Sequence, residues 1–402
     1  MGLDGRKLAL MLFLQVPFFR PEFVISYGGD VASLVLYAWL GVTLVVSAFM
    51  AVRRRTMDWK YALTLLPPMT VLLSTLVNHG SLEIWYVQWG SCIAISTLVF
   101  AAKGYCIKEF LAAIVFWTGL CLIVNFESVI LFPGGLWPGD INHAAGDHFF
   151  YGHRNQIFSI ALPAIGASSL LDCMACRHVS LRTGVFMAVS FCTALLAPSL
   201  TSSIAIGLLS TVILLRRLPG IAKICNALVY AISAAVVFLG IVVLKIQNYF
   251  SGFLLGAFGK NATISGRTII WSKVPDFLQG KEILLGAGMH AWSYIDVGGR
   301  AYSAHNQFLH LWCIGGAVSL LAMLALLAAC VTVLFKSRRN AIAFVLAASL
   351  GAFFVVGTTE TAISFGYWMF IALVLSQFWV ETTFSIIQGT GSPDEAGSSL
   401  IT

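Results

Sequence analysis

An all-α polytopic membrane protein is expected from this chain, on three grounds. Of its 402 residues, 59% are hydrophobic and only 10% are charged, whereas a soluble domain carries about 25% charged residues. Mean hydropathy is +0.89. The apolar residues fall in continuous runs near the roughly 20 residues that a helix needs to cross a bilayer, not in the alternating segments of about ten that mark an outer-membrane barrel.

Twelve runs fit a transmembrane helix: about 7–20, 31–51, 61–78, 82–102, 109–132, 155–171, 183–199, 202–215, 225–246, 305–335, 341–358 and 364–380. The first and eighth are short, as tilted or half-inserted segments would be. "RKLALMLFLQVPFFRPEF" lacks a small-residue cleavage site and leads into further apolar sequence, so the N-terminus is expected to be retained.

Orientation follows from the basic residues. Threading twelve helices with the N-terminus inside puts sixteen of the 24 Lys and Arg residues on one side, among them Arg53, Arg54, Arg55, Arg216 and Arg217. Cytoplasmic loops are enriched in this way, so both termini are expected in the cytoplasm. The net charge of +7 is then a topology signal with some attraction to anionic membrane lipids, and no nucleic-acid partner is implied. The other eight, Arg20, Arg154, Lys245, Lys260, Arg267, Lys273, Lys281 and Arg300, fall on the outer side against the bias.

Four regions result: helices one to nine over 1–246, a large external loop over 247–304, helices ten to twelve over 305–380, and a polar, Gly/Ser-rich tail over 381–402 expected to be disordered and cytoplasmic. Loops beyond about 15 residues are usually functional or disordered. The large one carries its own structural signals. "SGRTIIWSKVPDFL" (265–278) reads as an amphipathic helix with Ser265 as its cap, and "LLGAGMHAW" (284–292) as a turn. A second outer segment, 133–154, precedes helix six. All the histidines except His178 lie on the outer side or in helix ten near it. The nine cysteines sit in helices or short cytoplasmic loops, so no disulfide framework is expected. Cys173 and Cys176 form a lone CxxC without the second pair that a metal or redox site usually needs.

Three outer constellations could carry chemistry. In "SAHNQFLHLW", His305 lies at the start of helix ten, where a positive helix end opposes an imidazolium and favours a proton acceptor; a capping or interfacial histidine is the plainer alternative. His310 reads as a residue of the bundle interior. In "SGRTIIW", Arg267 offers a planar fork suited to phosphate, against the alternative of an arginine reaching for headgroups. In "FFYGHRNQ", Tyr151, His153, Arg154 and Asn155 mark the entry of helix six, and Arg154 wants an anion or a carboxylate such as Asp140, Asp147 or Glu360. His143, His148 and His153 recur every five residues in a Gly-rich loop, not at the spacing of a helical zinc site, and no metal is expected. Neither a Walker loop nor a Rossmann fingerprint is present.

In these residues and their order the chain resembles the O-antigen ligase and polymerase superfamily. "GHRNQ" stands at the entry of helix six, "SGRTIIW" early in the large loop, "LLGAG" in its middle and "SAHNQFLHLWCIGG" at its end. The resemblance implies a GT-C-like, metal-independent, inverting glycosyltransferase with no cofactor. Its donor would be a glycan on undecaprenyl pyrophosphate, used at the outer face of the bacterial cytoplasmic membrane. It further implies that Arg154 and Arg267 hold the pyrophosphate and that His305 serves the acceptor hydroxyl as base or orienting group. Arg300, Asn306, His153, Asn155 and Tyr151 are expected to line the substrate. The acceptor is a saccharide, as in O-antigen or capsule repeat-unit polymerases, or lipid A core, as in ligases; the short N-terminal segment and modest loops slightly favour a polymerase. A chain-length regulator is a further candidate partner. A lipid-linked oligosaccharide flippase is the rival from another class, and it would be expected to show internal repeats and midplane charges.

Overall fold

A computed structural model describes residues 2–137, 148–246, 249, 267–290 and 304–380. Among them the architecture is all-α: the extended pairing that does occur is an isolated bridge between His148 and His153. In chain order the helices are α1 (Gly5–Gln15), α2 (Glu22–Arg54), α3 (Trp59–Val77), α4 (Leu82–Ala102), α5 (Ile107–Leu131), α6 (Phe158–Met174), α7 (Leu181–Leu196), α8 (Leu200–Leu215), α9 (Ala227–Val243), α10 (Arg267–Phe277), α11 (Glu282–Leu285), α12 (Gln307–Lys336), α13 (Ala341–Thr359) and α14 (Phe365–Ser376).

Among the described residues, seven helices are long and apolar enough to cross a membrane: α2, α3, α4, α5, α6 with its leading turn, α12 and α13. Helices α7, α8, α9 and α14 are apolar but span only 10–17 residues, and α1 has 11. Twelve crossings were expected, so length and composition establish fewer than the apolar runs suggested. The other difference is α2, which begins at Glu22 rather than near 31. Its 33 residues would span about 50 Å at 1.5 Å per residue, well beyond a hydrocarbon core of about 30 Å. The excess is folded off by a kink at Gly29, with φ 57° and ψ −147°.

Burial sorts the helices into a centre and a rim. In the most apolar window of α13, 89% of residues are buried, and in that of α6, 78%, against 22% in α2. Helix α13 packs on α6, α8, α9 and α12, while α4 packs on α2 and α14. The exposed side chains of α2 are themselves apolar, for example Val31, Leu34, Val45 and Phe49. Such a face belongs in lipid, where close packing rather than hydrophobicity holds helices together.

A close backbone approach joins the end of α11 to a kink in α12. Gly316 breaks α12 with φ 69°, a left-handed conformation that glycine adopts without strain. The break frees backbone carbonyls, and the Gly-rich segment after α11 fills them: Ala287 N–H donates to Cys313 O at 2.8 Å and Gly288 N–H to Ile314 O at 3.1 Å. A Cβ on Gly286 would lie 2.5 Å from the Gly315 and Gly316 nitrogens. From α3, Ser74 Oγ donates to Ile314 O (2.8 Å) and the Asn78 amide to Gly286 O (3.0 Å). A turn was expected over 284–292; instead Leu284 and Leu285 end α11, Gly286–Gly288 run without regular structure, the turn falls on Met289 and His290, and positions 291–292 lie outside the described residues. The glycine segment is locked onto the half-helix that follows His305.

At the opposite end of α6 from Arg154, buried Asp172 accepts hydrogen bonds from Arg182 (3.1 Å) and the Thr183 hydroxyl (2.7 Å). Arg216 donates to Cys173 Sγ at 2.6 Å and to the His178 carbonyl at 2.5 Å. Cys173 of the lone CxxC is therefore part of an interhelical clasp.

Candidate functional site

The site starts from a carboxylate. Helix α13 ends at Thr359, and Glu360 follows in extended conformation with its N–H bonded to Val356 O at 2.8 Å. Glu360 is 8% exposed, and a buried carboxylate must be paired. One oxygen, Oε1, accepts from Arg267; the other, Oε2, lies 3.0 Å from His305 Nδ1. Three residues far apart in the chain meet here.

Each is held by its own element. Arg267 is the first residue of α10, whose buried side chains Arg267, Trp271 and Val274 share one face at helical spacing. Trp271 Nε1 donates to Ala304 O at 2.8 Å, fastening α10 to the residue before His305. His305 has φ 45°, a left-handed conformation for which histidine is among the more tolerant residues and which concentrates at functional sites. It turns the chain into α12. Its side chain is 36% exposed, against 10% for Arg267 and for Glu360. The pair is therefore a covered ion pair carrying a more open imidazole. A neutral imidazole that donates from Nδ1 to this carboxylate carries its lone pair on Nε2.

The start of α12 differs from expectation in one respect. The helix begins at Gln307 and is capped by Asn306, whose Oδ1 accepts from Phe308 N–H and Leu309 N–H, both at 3.0 Å. His305 stands just outside the helix end, whose first amides the Asn306 side chain already serves. The Asn306 amide nitrogen donates to Thr358 O at 3.0 Å, and the residue is fully buried. Its geometry joins the start of α12 to the end of α13 and holds His305 beside Glu360.

The other candidates cluster before α6. A 3-10 turn, Arg154–Gln156, is capped by His153, whose Nδ1 accepts from Asn155 N–H at 3.2 Å. Tyr151 N–H donates to Asn125 Oδ1 at 2.8 Å, and burial pushes its phenol above the ordinary tyrosine value. Arg154 borders a small recess with Asn125, Tyr151, His153 and Thr193. Glu360, named from sequence as a partner for Arg154, bonds to Arg267 and His305. Arg300, Asp140, Asp147, His143, Ser265 and the tail from 381 lie outside the described residues.

Helix α8 joins the two groups. Ser202 Oγ donates to Asn155 O at 3.3 Å, and next to it Thr201 Oγ1 lies 2.8 Å from Thr359 Oγ1, one residue before Glu360. Arg154 and the Arg267–Glu360–His305 assembly thus flank the first turn of α8 at one end of the bundle. Sequence reasoning missed this threonine bridge, as it missed the Glu22 carboxylate, which lies 2.8 Å from His148 Nδ1. The available signal for Glu360 was its solitude as an acid in "GTTET" between two apolar runs.

Chemically, the assembly can bind an anion beside a basic imidazole nitrogen. A guanidinium has five N–H donors in a rigid fork, so one edge on Glu360 is compatible with another on phosphate. Among the described residues, no three His, Cys, Asp or Glu side chains group as a metal site. No family model matches the chain, and no curated protein matches it either.

Proposed function

We propose that this chain is a glycosyltransferase of the O-antigen ligase and polymerase superfamily, with twelve crossings and its site at the outer face of the bacterial cytoplasmic membrane. It moves a glycan from undecaprenyl pyrophosphate to an acceptor hydroxyl, and a repeat-unit polymerase is the favoured form. The single observation that carries the reading is the Arg267–Glu360–His305 assembly: a guanidinium fork and an imidazole on one carboxylate, in a chain of which only 10% is charged.

The chemistry needs little else. Attack of the acceptor oxygen on the anomeric carbon breaks the C1–O bond, and its electron pair leaves with the pyrophosphate. Arg267 and Arg154 offset the charge that develops there. The acceptor proton passes to His305 Nε2, and Glu360 holds the imidazole in the required tautomer and stabilises the resulting imidazolium. Displacement from the opposite face inverts the anomeric centre. A neutralised pyrophosphate is a good leaving group, so the step is written without a metal or a cofactor.

The test is to incubate purified protein with a lipid-pyrophosphate-linked repeat unit, alone and with lipid A core. A ladder from the repeat unit alone identifies a polymerase, and product only with the core identifies a ligase. Absence of product in both contradicts the proposal.

A further inference from the structure

A second cluster at the same end of the bundle has been given no role above. The first turn of α2 docks on the segment before α6: Glu22 N–H donates to Tyr151 O and Phe23 N–H to Phe150 O, both at 3.2 Å. The contact gathers aromatic rings. Tyr27 lies 4.5 Å from Phe23 and 6.3 Å from Trp137, measured between centroids, with the Tyr27 and Trp137 planes only 33° apart. His148 stands edge-on to Trp137 at 6.3 Å and contacts His153 at 5.1 Å. Tyr27 is 69% exposed, and Trp137 is half-buried. Beside the rings, the Glu22 carboxylate, on a side chain still 30% exposed, holds His148.

We infer that the Tyr27–Trp137 ring pair, with Glu22 and His148 at its edge, is a saccharide subsite. The warrant is complementarity. One face of a pyranose presents C–H groups, whose weakly positive hydrogens suit the negative face of an aromatic ring. Its rim presents hydroxyls, which a carboxylate accepts and an imidazole donates to or accepts from. Rings alone would be ordinary interfacial anchors; a partly exposed carboxylate among them, held by an imidazole that is only 10% exposed, is what a sugar uses and an acyl chain does not. The kink at Gly29 folds the ring-bearing turns of α2 away from the membrane-spanning part of that helix. His153, in ring contact with His148, immediately precedes Arg154, so a glycan seated here continues toward the anion site.

The inference rests on the glycosyltransferase reading for the identity of the sugar, but it is tested by binding and not by transfer. The probe is surface polysaccharide released by mild acid from cells of the source bacterium and cut to short oligosaccharides. Binding to the detergent-purified full chain is followed by saturation-transfer NMR, for the unmodified protein, Tyr27→Ala/Trp137→Ala and Tyr27→Phe/Trp137→Phe. The expected result is binding by the unmodified protein, at least a tenfold weaker affinity in the alanine pair, and restoration in the ring-preserving pair. Equal binding by the alanine pair, or none by the unmodified protein, overturns the subsite and makes the rings interfacial anchors only. Binding by the unmodified protein that the alanine pair loses, in a protein with no transfer activity, would leave the subsite standing and sink the transfer reading instead.

Discussion

Glu360 sets His305: its Oε2 lies 3.0 Å from His305 Nδ1 while Oε1 takes Arg267. The carboxylate thereby engages both the imidazole and the guanidinium. Neither contact could be inferred for His305 or Arg267 in isolation.

Glu360→Gln keeps the shape of the side chain but removes the charge and offers an amide where an acceptor is needed. Transfer by the purified protein is expected to fall by about 10² or more, the lower end of what a positioned base contributes. An unchanged rate with normal expression would show that Glu360 only packs.

Arg267→Lys retains the charge and loses the fork. Since a lysine makes a point contact where arginine makes two parallel bonds, the rate on lipid-pyrophosphate donor is expected to drop about tenfold or more. Full activity would remove bidentate phosphate binding from the mechanism.

Asn306→Ala is expected to act on stability. Loss of a helix N-cap costs about 1 kcal/mol, and the Thr358 carbonyl, bonded to the Asn306 amide at 3.0 Å, is left without that donor. A lower Tm in detergent is expected, with residual transfer in the molecules that remain folded. A normal Tm with abolished transfer would instead make Asn306 a substrate ligand, as its sequence context suggested.

Gly316→Ala puts a side chain at φ 69°, where a left-handed L-residue costs roughly 1–2 kcal/mol, and drives a Cβ into the backbone at Leu284. Thermal unfolding is expected at markedly lower temperature, with faster proteolysis in the segment after α11. An unaltered Tm would mean that the "LLGAG" segment is not locked to α12.

How much of this was legible in the sequence varies with the kind of signal. Arg267 and His305 stood out because charge is costly in an apolar chain, and the break at Gly286–Gly288 because glycines punctuate. The start of α2 was missed because "EFVISYGGD" mixes polar, apolar and glycine residues without a period. The capping reading at the start of α12 fell on His305, whereas the cap is Asn306, since adjacent polar residues before an apolar run give the same pattern. Glu360 was seen but given the wrong partner: it lies 93 residues from Arg267 and 55 from His305, and no local pattern encodes a pairing at that distance. The bridge from Thr201 to Thr359, 158 residues apart, is of the same kind.

The most direct test is a double-mutant cycle on transfer rate, in EDTA, with a lipid-pyrophosphate-linked repeat unit and the variants His305→Ala, Glu360→Gln and the two combined. Residues acting as one unit are strongly non-additive. The expected result is that each single variant is severely impaired and the double variant is no worse than His305→Ala alone. Losses that simply multiply, or a His305→Ala protein that transfers at the normal rate, would contradict a carboxylate-oriented histidine at the centre of the reaction.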